Sequence, residues 1–145
     1  MSTQILGPVV ALVAWTLVMM IWLYATRFPA LARKGISLKG KVGGRGTDLD
    51  GVVEPQAQWK AHNYNHLLEQ PTLFYAICIS LVLLGGGGIW INLWLAWAYV
   101  AFRVVHSLIQ ATTNVVRWRF LAFAGGSFCL LGLTVHAAAR VLHDL

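Results

Sequence analysis

Residues 58–110 read QWKAHNYNHLLEQPTLFYAICISLVLLGGGGIWINLWLAWAYVAFRVVHSLIQ, and this stretch decides the fold. It contains two apolar runs joined by Gly85-Gly86-Gly87-Gly88, and each run carries its charged residues and histidines at the end remote from the glycines. Four glycines allow a very tight reversal, because glycine reaches positive φ without steric cost. The two runs are therefore expected to be antiparallel helical neighbours.

On the first of these helices, His62, Asn65, His66 and Glu69 follow the i, i+3, i+4, i+7 spacing of one face. On the second, Arg103, His106 and Gln110 follow i, i+3, i+7 in an otherwise lipid-like sequence. In an antiparallel pair, residues at equal depth have numbers with a constant sum. Glu69 then lies opposite Arg103, His66 opposite His106, and His62 opposite Gln110. At 1.5 Å per residue the Glu69 and Arg103 layer is expected roughly 15 Å deep, where a carboxylate and a guanidinium need each other or a polar ligand. One Asn or His would suffice for a seam that only holds helices together; seven polar residues on two facing stripes point to a site. Pro71, just beyond Glu69, predicts a kink that widens it.

Outside this stretch the composition agrees. Of the 145 residues, 58% are hydrophobic and 11% charged, and the mean hydropathy of +0.66 excludes an ordinary soluble domain. Four spans are predicted, roughly at 5–26, 58–84, 89–112 and 120–142, giving an all-α, integral membrane four-helix bundle in one domain over 1–145. The first span has no basic residue before it and no small-residue cleavage site after it, so it is expected to remain as an anchor. Of the basic residues, Arg27, Arg33, Lys34, Lys39, Lys41, Arg45 and Lys60 lie in or beside the first connection, and Arg117 and Arg119 in the third; the glycine connection has none. The positive-inside rule places the first and third connections in the cytoplasm and both termini outside it. This topology accounts for the net charge of +6, so no nucleic-acid partner is implied.

The glycine-rich connection over about 28–57 lacks the strand and GK[ST] ending of a phosphate loop and reads as a flexible loop near the mouth of the site. His62, His66, Glu69 and His106 include metal-ligand types, but the fixed charge of Arg103 in the Glu69 layer opposes a cation, so no metal is assigned. Cys78 and Cys129 stand alone in apolar runs, without a CxxC or paired spacing. Fixed cations at Arg117 and Arg119, beside the polar face, are suited to an anionic ligand or a thiolate.

Asn65-x-x-x-Glu69-x-Pro71-x-x-Phe74 on the second helix, with Arg103-x-x-His106 on the third and basic residues before the fourth, resembles the MAPEG superfamily, membrane-associated proteins in eicosanoid and glutathione metabolism. The resemblance covers essentially the whole chain and is closest to bacterial-type members of unassigned substrate. It implies a homotrimer with glutathione sites between protomers that open toward the cytoplasm. It also implies that Asn65, Glu69 and Arg103 bind the charged ends of glutathione. His62, His66, His106 and Gln110 line the same site, and an arginine near the start of the last helix activates the thiol. Two spacings within the family put that role on Arg119 or on Arg117.

Lys60, Gln110 and Phe120 replace an arginine, a tyrosine and a serine of the eicosanoid-forming members, and the Asn-to-Glu spacing is one residue longer. The expected function is a glutathione-dependent transferase or peroxidase acting on a lipophilic electrophile delivered by membrane lipid, in the bacterial inner membrane. The alternatives are a non-catalytic lipid- or glutathione-binding membrane protein and a metal-binding polar bundle.

Overall fold

The computed structural model describes residues 2–143. It is all helical among those residues, with α1 at Leu6–Arg33, α2 at Pro55–Leu67, α3 at Gln70–Leu83, α4 at Trp90–Thr112 and α5 at Val116–His143. α2 and α3 together make one span, so four segments are long and apolar enough to cross a membrane. Leu12 and Met19 of α1, Phe74 and Cys78 of α3, Ala96 and Tyr99 of α4, and Leu133 of α5 form the buried centre. Phe74 stacks on Tyr99 at 4.3 Å. Val10, Ile21, Leu73, Trp94, Phe128 and Leu131 point outward, as lipid-facing side chains do. In such surroundings tight packing between helices does more than apolar burial, since lipid is as apolar as the core.

Three differences from the predicted spans have local causes. α1 runs seven residues past its expected end at 26, through Pro29, because Ala30 and Leu31 pack with Val53 and Ala57 in a small second core. The connection proper is thus shorter, residues 34–54, with one 3-10 turn at Gly46–Leu49. The second span is not one kinked helix but two, broken at Leu68 and Glu69, where Glu69 has φ −88° and ψ −98°. Pro71 lies in the first turn of α3, where its missing N–H costs nothing, whereas within a continuous helix it would strand a carbonyl. α5 begins four residues early and carries Arg117 and Arg119 in its first turn, with no acidic residue there.

The glycine connection is as tight as expected. Gly85 has φ +71°, and a Cβ on Gly87 would stand 2.3 Å from the Ser2 carbonyl oxygen, so the N-terminal residues close directly over this turn. The Ile5 N–H donates to the Gly87 carbonyl at 3.2 Å. At this end Asn92, fully buried, donates to the Gly86 carbonyl at 3.0 Å, and its Oδ1 lies 2.6 Å from His136 Nδ1.

At the opposite end the long connection is ordered by side chains. Gln58 Nε2 donates to Asp50 Oδ1 and to the Gly46 carbonyl, Arg27 donates to Gly46 and to Gln58 Oε1, and His62 Nε2 sits 3.0 Å from Asp50 Oδ1. The Gln58 amide, with His62 and Arg27 near it, holds the Asp50 carboxyl below the usual carboxylate range against a smaller opposing effect of desolvation. A lowered folded-state value stabilises the loop above the ordinary carboxylate pKa of about 4 and ceases to do so as pH falls through the lowered value. Hydrogen exchange, corrected for intrinsic rates, should show loop amides near Asp50 losing protection only as pH falls below the ordinary carboxylate range, with Asp50→Ala unprotected already at neutral pH. PH-independent protection in the wild type would contradict this stapling.

Candidate functional site

The break between α2 and α3 builds the site. Ending α2 at Leu67 removes the amide that would have bonded the His66 carbonyl one turn on. Arg103 Nη2 takes its place, donating to that carbonyl at 2.9 Å and lying 3.0 Å from His66 Nδ1. A guanidinium thus caps the negative end of a broken helix inside the bundle. Arg103 is fully buried, and its Nε and Nη1 have no hydrogen-bond partner among the described residues.

His66 and His106 stack at 4.7 Å and 18°, as depth matching expects. Phe123 of α5 closes on them, edge-on to His66 at 5.5 Å and with its face 5.8 Å from Arg103 Cζ. Beside this stack is a cavity of about 200 Å³ lined by His66, His106, Val116, Arg119, Phe120 and Phe123. Arg119 donates from Nη1 to Asn114 Oδ1 at 2.6 Å. Asn114 itself is the one described non-glycine residue at positive φ, +52°, a conformation asparagine tolerates. This neutral acceptor aims Arg119 without cancelling its charge. Arg117 instead lies over the exposed Trp118 ring at 5.4 Å.

The other two layers do not form. Glu69 makes no ion pair with Arg103; the break turns the carboxylate outward, where it is exposed. His62 is taken by Asp50, and Gln110 remains buried with Oε1 unpartnered. Asn65, also exposed, lines a separate cavity of about 260 Å³ with His62, Arg27 and Gly46. The face read as one stripe is thus divided: Arg103, His66, His106 and Arg119 gather within the protomer, while Asn65 and Glu69 look away from it. Among the described residues no three His, Cys, Asp or Glu side chains come together as metal ligands.

The sequence places Asn114 with Arg117 and Arg119 at the mouth of the polar face, but gives no sign that it holds Arg119, and it gives no sign of Asn63 at all. Asn114 directly after the last turn of α4 is a recognisable helix-ending signal. Asn63 is fully buried with both amide atoms unpartnered, and nothing in its spacing distinguished it from its neighbours.

These features define an integral membrane helical bundle with a buried cationic pocket near one end. A family model described as the MAPEG family matches residues 5–139, and the chain belongs to that family. No curated protein and no solved structure matched the chain.

Proposed function

We propose that this protein is a glutathione-dependent membrane transferase or peroxidase acting on a lipophilic electrophile. The observation that carries the reading is a pair of arginines that form no salt bridge among the described residues: Arg103 with two unpartnered nitrogens, and Arg119 held toward the cavity by a neutral amide. Such a pocket suits a peptide carrying carboxylates and a thiol, because fixed positive charge favours both carboxylate and thiolate. Arg119 lowers the thiol pKa, so the proton leaves to solvent and the sulfur attacks the electrophile as its leaving group departs. Val116, Phe120 and Phe123 give the electrophile an apolar wall toward the lipid. MAPEG members generally use glutathione, which supports the assignment.

The outward Asn65 and Glu69 suit a homotrimer in which each protomer lends them to its neighbour's pocket, with the loop end in the cytoplasm and the termini outside. Mass measurement in detergent tests the trimer; a monomer that binds glutathione at full strength would refute the shared site. The activity test is glutathione conjugation or hydroperoxide reduction by purified protein. Gln110 and Phe120 favour a second reading, a binding protein without turnover. Tight glutathione binding with no turnover across a broad electrophile panel would establish it in place of the enzyme.

A further inference from the structure

A third cavity, of about 490 Å³, lies between the C-terminal end of α1 and the start of α2 and shares no lining residue with the arginine pocket; its lining includes Ala25, Pro29, Arg33, Glu54 and Lys60. Its polar groups are mismatched in a specific way. Lys60 is only 9% exposed, and its Nζ lies 5.4 Å from the Trp22 ring with no oxygen partner in the described structure. Glu54, its side chain 41% exposed, offers Oε1 to Arg33 at 3.5 Å, whereas its Oε2 atom is shielded and has no donor from another described residue. Pro29 has no N–H to give the Ala25 carbonyl one turn back, which leaves a second oxygen short of a hydrogen. The cavity therefore presents a cation with no anion bonded to it, a carboxylate oxygen and a helix carbonyl, which together match the complementary charges and N–H donors of a zwitterionic amine headgroup.

From the cavity, Pro29, Ala25, Ile21 and Val18 continue as an exposed stripe along α1. These eleven residue steps span roughly 16 Å, close to one leaflet of hydrocarbon. We infer that this groove is a binding site for a phospholipid with a primary-amine headgroup. Its phosphate sits on Lys60 and Arg33, its ammonium donates to Glu54 Oε2 and the Ala25 carbonyl, and one acyl chain follows the α1 stripe. A quaternary ammonium has no N–H and cannot satisfy these oxygens, and an anionic headgroup without an amine satisfies only the cations. The inference is independent of the glutathione reading.

The test is native mass spectrometry of protein ejected from nanodiscs containing equal parts phosphatidylethanolamine, phosphatidylcholine and phosphatidylglycerol. Phosphatidylethanolamine should be retained about fivefold over phosphatidylcholine, the order expected from one net hydrogen bond. Glu54→Gln should erase that preference while leaving phosphatidylcholine retention unchanged, and Lys60→Gln should lower retention of all three; circular dichroism checks that both variants remain folded. Equal retention of the ethanolamine and choline lipids, preference for phosphatidylglycerol, or an unchanged preference in Glu54→Gln would each overturn the site.

Discussion

Arg119→Ala should lower glutathione-dependent turnover by about 100-fold, and Arg117→Ala should leave it within about twofold. The first magnitude follows from losing one preorganised charge aimed at a developing anion in a water-poor pocket. The second follows from geometry, since Arg117 lies on Trp118 outside the cavity that Arg119 lines. Basic residues in the first turn of a helix oppose the macrodipole, so two of them at the start of α5 add nothing to helix stability. Asn114→Gly separates positioning from charge. Glycine keeps the positive φ of this loop but deletes the amide that holds Arg119, so the expected loss is about tenfold, with the alkaline shift of the pH–rate profile that a less stabilised thiolate requires. Equal losses in Arg117→Ala and Arg119→Ala, or an unshifted profile in Asn114→Gly, would remove Arg119 from the activating role.

The bundle was legible because lipid imposes simple demands: spans of about 20 apolar residues, and a reversal at four glycines that only a tight antiparallel turn explains. His66 does meet His106 at the depth that counting gives, although the break at Leu68 and Glu69 lies between His66 and the glycine turn; the interruption is short enough to leave α2 near its counted depth. Depth matching failed where its premise did. It assumes a continuous helix, and the break before Pro71 rotates Glu69 out of the stripe that spacing assigned to it. His62 failed for a different reason: its partner, Asp50, lies in the connection, which carries no periodicity from which a contact could be read. Proline was the available clue to the first failure, but read as a kink it widens a seam, whereas a full break leaves a carbonyl that a guanidinium caps.

That cap sets the expectation for Arg103. An intramembrane ion pair with Glu69 would make either single replacement cost about 3–5 kcal/mol, with the double replacement recovering most of it. The structure predicts otherwise. Glu69 is exposed and forms no salt bridge among the described residues, so Glu69→Gln should melt close to wild type in detergent. Arg103→Met loses two charge-assisted hydrogen bonds to His66, each worth about 1.5–3 kcal/mol, but also removes a buried cation whose Nε and Nη1 are unpartnered. These effects oppose, and the net change without ligand should stay within about 2 kcal/mol. Glutathione separates the two accounts further. At 100 times Kd a ligand stabilises its receptor by about 2.7 kcal/mol, and Arg103→Met should forfeit that increment because the unpartnered nitrogens are what the ligand's carboxylate would meet. Thermal melts of Glu69→Gln, Arg103→Met and the double variant, each with and without glutathione, read both quantities at once. Recovery of stability in the double variant would restore the ion pair, and an undiminished glutathione shift in Arg103→Met would place the ligand elsewhere.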